Sequence, residues 1–121
     1  MPAFVKFQTP ANLQNVIHEA IATATQTGKL RKGVNETTKC IERGLAKLVV
    51  MAEDVTPEEI LMHIPIICEE KQVPFAYVPS KEELGRYAGL SVPTASIAIE
   101  NEGDGKRLID EIKSKLSEVK K

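Results

Sequence analysis

Apolar residues recur at helical spacing early in the chain, where Leu13, Val16, Ile17, Ala20, Ile21 and Ala24 form one stripe that closes at Gly28. Thr9-Pro10 ahead of it reads as an N-cap followed by Pro at the first helical position. His18 and Glu19 fall on the polar side of that helix. Lys29 to Lys32 is a short segment read as extended. Ala46 to Ala52 breaks the helical period with a continuous apolar, β-branched run, the pattern of a strand buried on both faces. Thr56-Pro57-Glu58-Glu59 predicts a capped helix start, and Pro65 predicts a break near His63-Ile64 with a second helix over 65–71. Pro74 to Val78 is the next strand. Ser80-x-x-Glu83 is a second capping box, opening a short helix that ends near Ala88-Gly89. Ser96 to Ile99 returns as a strand, and Leu108, Ile109, Ile112, Leu116 and Val119 mark the apolar stripe of a final amphipathic helix. Strands alternating with helices predict an α/β fold, a small mixed sheet of about four strands with helices on both faces.

The stretch Gly33-Val34-Asn35-Glu36-Thr37-Thr38-Lys39 does not serve a core pattern. Gly33 permits a tight turn, Asn35 suits an N-cap, and the helix predicted from Glu36 to Arg43 stops at Gly44. Asn35, Glu36, Lys39 and Arg43 share one helical face, while Cys40, Ile41 and Leu45 form the set expected to point inward. The exposed face presents an amide, a carboxylate and two cations beside a helix end whose free N–H groups and dipole attract anions. Glu36 is out of place beside phosphate unless it accepts hydrogen bonds from a base edge, such as guanine N–H groups, and Asn35 both donates and accepts there. The same residues also suit a plain reading, with Asn35 as a cap, Glu36 favouring the dipole, and Lys39 and Arg43 as a solvated face.

Charge sharpens the picture, because a net charge of −1 hides a segregation of signs. Residues 29–43 hold five Lys/Arg against two Glu, whereas 48–70 holds six acids (Glu53, Asp54, Glu58, Glu59, Glu69, Glu70) and no Lys or Arg. A local basic footprint beside an acidic surface is what a nucleic-acid binder of low net charge requires. At 121 residues, 42% apolar and 27% charged, the chain is long enough for one ordinary core. No apolar run approaches the ~18 residues of a membrane span and no secretory pattern precedes the first helix, so a soluble cytoplasmic protein is expected. Cys40 and Cys68 lack metal-ligand or disulfide spacing and read as small buried hydrophobes, so neither a metal nor a cofactor is expected.

Little here suggests catalysis. His63 and Cys68 are five apart with Pro65 between them, the adjacent pairs Glu58-Glu59 and Glu69-Glu70 read as solvated charge, and no glycine-rich phosphate-binding motif is present. The loop Leu90-Ser91-Val92-Pro93 has two readings. It is either an ordinary connection whose apolar side chains enter the core, or an exposed pad on which an unstacked base rests. Lys81 and Ile60 would join that second surface if the fold brings them there.

The block 33–39, then Glu42-Arg43-Gly44, then Val49-Val50-Met51-Ala52-Glu53-Asp54, and the stretch from Val73-Pro74 to Pro93 together make the chain similar to the kink-turn-binding ribosomal protein family, nearest its archaeal large-subunit branch, L-seven-Ae. The resemblance runs from about Thr9 to the last helix. It implies a three-layer α-β-α sandwich and a single RNA-binding domain over 1–121. The implied ligand is the kink-turn, a sharply bent RNA internal loop built on tandem sheared G·A pairs. On that resemblance Asn35, Glu36 and Lys39 contact the G·A pairs, and Lys32, Gly33 and Arg43 belong to the backbone-binding part. Leu90, Ser91 and Val92 form the loop over the extruded nucleotides, and Ile60 and Lys81 match peripheral contact positions. Eukaryotic relatives commonly carry Arg where Val92 stands, which implies a more permissive reading of loop sequence here. The implied clients are ribosomal RNA, box C/D and H/ACA guide RNAs and ribonuclease P RNA, with partner proteins assembling on the bound RNA. The chain would then be a non-catalytic subunit, with no membrane or DNA partner. Other relatives of this fold have lost RNA binding and act as protein-interaction modules, a use the acidic 48–70 segment would serve.

Overall fold

Leu48–Ala52 is buried at every position and forms the central part of the sheet, as its unbroken apolar pattern requires. The computed structural model describes residues 4, 5 and 7–119. Four strands, β1 (Lys29–Lys32), β2 (Leu48–Ala52), β3 (Phe75–Val78) and β4 (Ser96–Asn101), lie in the order β1-β4-β2-β3. β4 runs antiparallel to both β1 and β2, and β2 runs parallel to β3, so the sheet is mixed. Among the described residues the long helices are α1 (Ala11–Thr27), α2 (Val34–Glu42), α3 (His63–Lys71), α4 (Lys81–Tyr87) and α5 (Lys106–Val119). α1 packs with α4 and α5, while α2 packs with α3, giving the expected three-layer α/β arrangement. Leu13, Ile17, Ala20, Ile21 and Ala24 of α1 are buried, as are Ile109, Ile112 and Leu116 of α5. The side chain of Val119, also assigned to the α5 stripe, lies outside the described residues.

Several expected helix boundaries are wrong. Thr9 does not cap α1. The cap position is Pro10, with no side-chain bond, and the buried Thr9 Oγ1 accepts instead from the Tyr77 N–H at 3.2 Å. β3 is an edge strand, so Thr9 supplies an acceptor that no neighbouring strand offers. Tyr77 Oη donates to the Phe4 carbonyl at 2.6 Å and the Phe7 ring packs edge-on to Tyr77, so the segment before α1 covers that edge.

Thr56-Pro57-Glu58-Glu59 does not open an α-helix. It leads into a single 3-10 turn, Glu58–Ile60, without a side-chain cap. α3 then starts at His63 and not at Pro65. Pro65 is its third residue, where an N–H would lack an intrahelical partner in any case, so the ring costs no hydrogen bond. The second capping box is real, with Ser80 Oγ accepting from the Glu83 N–H at 3.2 Å.

His18 also departs from its expected surface position. It is half-buried and stacks on Tyr87 of α4, with ring centroids 4.2 Å apart and planes 8° from parallel, which holds α4 against α1. Among the described residues, its Nε2 is buried without a hydrogen-bond partner. Burial pulls the His18 pKa below its ordinary 6.5, Glu83 pulling upward and Arg86 adding to the drop. A base whose folded pKa is lowered contributes stability that is complete above 6.5 and is lost as pH falls through the folded value. Urea midpoints measured over that range should fall with acidification, and His18→Phe, which keeps the stack and removes the proton site, should flatten that part of the profile.

Candidate nucleic-acid interface

Three strands end and one begins at the same edge of the sheet. Lys32 at the end of β1 lies opposite Ile97, Met51 pairs with Ser96 at the start of β4, and Ala52 ends β2 beside Val78 at the end of β3. Lys32 ends β1 there and Lys81 opens α4; the connections between carry Gly33, Ile60, Leu90, Ser91 and Val92, with Asn35 and Glu36 in the adjoining first turn of α2. Lys39 and Arg43 extend the surface along α2.

α2 begins at Val34, two residues earlier than the Glu36 start its sequence suggests. Gly33 is the N-cap, at φ 94°, a conformation L side chains rarely adopt, and a Cβ built there would meet nothing within 4 Å. Asn35 is therefore not the cap. No side chain caps this helix, so the amides of its first turn stay open while Asn35 and Glu36 project to solvent. The far end closes through Gly44, whose N–H bonds to the Ile41 carbonyl at 3.0 Å while the Leu45 N–H bonds to the Cys40 carbonyl at 3.1 Å. That turn carries Leu45 off the buried stripe to 44% exposure, correcting its inward assignment, whereas Cys40 and Ile41 are buried as expected. Burial pushes the Cys40 thiol up from its ordinary value, so it stays a protonated hydrophobe. Cys68 is buried too.

The upstream basic cluster is smaller than its sequence count. Arg31 Nε donates to Glu100 Oε1 at 2.9 Å and Lys29 Nζ lies 3.5 Å from Glu100 Oε2, both across the β1 and β4 pair. The Arg31 hydrogen bond holds the Glu100 carboxyl below its usual range. Lys32, Lys39 and Arg43 make no ion pair among the described residues, so of the five cations in residues 29–43 they are the ones free to meet an anion.

The Leu90–Pro93 loop runs back along α4. The Leu90 N–H bonds to the Gly85 carbonyl at 2.8 Å and the Thr94 N–H to the Lys81 carbonyl at 3.1 Å. A Cβ on Gly85 would stand 2.2 Å from the Val92 carbonyl oxygen, so glycine is what lets the loop lie this close. Burial divides the loop: Leu90 is half-buried while Val92 is 60% exposed and Ser91 faces solvent. Lys81 is anchored by its own N–H to Asp54 Oδ1 at 2.9 Å. Ile60 is exposed in the turn that follows β2.

A model of the ribosomal protein L7Ae/L30e/S12e/Gadd45 family matches residues 15–109, a span that includes every one of these positions. The chain belongs to that family. Among solved structures, that of the Giardia lamblia 15.5kD RNA binding protein aligns with a TM-score of 0.90 at 31% identity, covering 98% of this chain and 98% of that one. The fold is thus that of this ribosomal-protein family.

Sequence reasoning missed the residues that brace the surface, namely the buried Thr37, Thr94, Ser96 and Gly85 and the exposed Asp54. Only Gly85 left a signal, as a glycine inside a predicted helix. Gly85→Ala should cost on the order of 1–3 kcal/mol in urea unfolding by overpacking, and should speed amide exchange at Leu90 by lifting the loop from α4.

Proposed function

We propose that this chain is an RNA-binding protein that recognises kink-turns and holds them in the bent conformation, without catalysing a reaction. The observation that carries the reading is Glu36. It is a solvent-facing carboxylate in the uncapped first turn of α2, beside the free cations Lys32 and Lys39. A carboxylate there repels phosphate but accepts hydrogen bonds from guanine N–H groups, so it favours a ligand whose base edges reach the helix. Asn35 and Lys39 complete that contact, while Lys32, Arg43 and the approach over Gly33 serve the backbone. Leu90, Ser91 and Val92 support extruded nucleotides, with Ile60 and Lys81 at the periphery.

The mechanism is a shift of population. The kinked conformer is a minor state of the free RNA, and a protein that contacts only that conformer raises its share by its differential affinity. Ribosomal RNA, box C/D and H/ACA guide RNAs and ribonuclease P RNA are the proposed clients, in the cytoplasm, with modification or cleavage chemistry supplied by other subunits docking on the bound RNA. A second reading, a protein-interaction module, draws on the exposed Met62 just before α3, the exposed Ile66 of α3 and the exposed Glu69 and Glu70 of the same helix.

Titration into a kink-turn RNA and into a control whose two G·A pairs are made Watson–Crick pairs, at a fixed near-physiological salt, separates the two. Kink-turn recognition should give binding at least about a hundredfold tighter to the first, a difference of roughly 2.7 kcal/mol. Glu36→Ala should lose on the order of 1–3 kcal/mol and relax the G·A requirement, while Lys39→Ala should weaken binding and reduce the salt slope by about one counterion. Wild-type affinity in Glu36→Ala would remove Glu36 from the contact. Equal, salt-sensitive binding to both RNAs would leave only a basic surface, and binding to neither favours the interaction module.

A further inference from the structure

Ser96 is fully buried at the first position of β4 and touches both halves of the proposed interface. Its carbonyl accepts the Gly33 N–H at 2.9 Å, tying the entry to α2, and also the Thr94 hydroxyl at 3.1 Å, tying the end of the Leu90–Pro93 loop. Its own hydroxyl donates to Thr37 Oγ1 at 3.2 Å, inside the first turn of α2. Thr94 in turn reaches the Lys81 carbonyl, and the Lys81 N–H reaches Asp54. One continuous hydrogen-bonded line therefore joins α2, the loop and the start of α4, and Ser96 is where its branches meet.

We propose that Ser96, through Thr37, is a positioning residue for RNA recognition, fixing the rotation of α2 and its separation from the Leu90–Pro93 loop. The inference rests on the kink-turn reading and adds to it the element that sets the spacing between the two contact surfaces. Burial alone does not need this pair, because replacing both hydroxyls by apolar groups of similar shape is nearly neutral for stability. A hydrogen bond does what apolar packing does not, which is to fix direction. Thr37 is buried while its neighbours Asn35 and Glu36 face solvent, so any turn of the helix about its axis redirects both. A rotation of about 20° moves a tip some 5 Å from the axis by roughly 2 Å, beyond the ~0.5 Å tolerance of a preorganised site. A rigid, sharply bent RNA that touches both the helix and the loop responds to that error, whereas general stability does not.

The test uses Ser96→Ala, Thr37→Val and the double variant in the full chain. Each single change strands one hydroxyl and should lower the melting temperature, and the double variant should recover most of that loss. All three should bind the kink-turn about tenfold more weakly than wild type, and the double variant should also show a smaller preference over the Watson–Crick control. In the free double variant the Gly33, Thr37 and Thr94 amides should exchange faster while the β2 and β3 amides keep wild-type protection. A double variant with wild-type melting, affinity and exchange would overturn the proposal. If the wild-type protein shows no preference for the kink-turn, that reading fails on its own. The exchange data then still decide whether Ser96 positions these elements, and unchanged exchange at the three amides overturns it.

Discussion

Everything at the candidate interface depends on β2 having no solvent-facing side. With both faces buried, its backbone must be satisfied sideways, and the bonds run to both neighbours: the Val49 N–H to Pro74, the Ala52 N–H to Ala95 and the following Glu53 N–H to Val78. These pairings lock the ends of β2, β3 and the start of β4 into one edge. The connections that leave there have no freedom to wander, and the loops inherit the rigidity of the strands.

Electrostatics act at a finer scale on the same frame. Glu100 sits half-buried on β4 facing β1 and takes up Arg31 and Lys29, so the two cations nearest the sheet help hold the edge strand. Within residues 29–43 the cations left without a carboxylate are Lys32 at the approach to α2 and Lys39 and Arg43 along it. A chain of net charge −1 thereby keeps a small positive surface without a basic composition.

The architecture was legible in the sequence wherever burial alone sets the pattern. The unbroken run 46–52, the stripes of α1 and α5 and the Ser80 box each encode one element by short-range periodicity, and each is present. Three of the misassignments share one cause, a local motif claimed by a distant partner. Thr9 leaves its helix to serve Tyr77, His18 turns inward to stack on Tyr87, and Asn35 yields the cap to Gly33 because the chain must turn out of β1 while Gly33 bonds to Ser96.

The candidate contact residues were readable because exposed side chains at helical spacing advertise themselves, and Glu36 among cations is odd without any structure. What braces them was not readable. Thr37, Ser96 and Thr94 are ordinary polar residues in sequence, and Asp54 is one acid among six in its segment. Their roles arise from contacts across 27 residues between Lys81 and Asp54 and 59 between Ser96 and Thr37. By itself the sequence determined which residues must be buried, which face of α2 is polar and where the charge lies, because those follow from periodicity and composition within a few turns of chain. Only the tertiary structure decided which end of each element shares an edge, because hydrogen-bond partners distant in sequence are chosen by the register of the sheet.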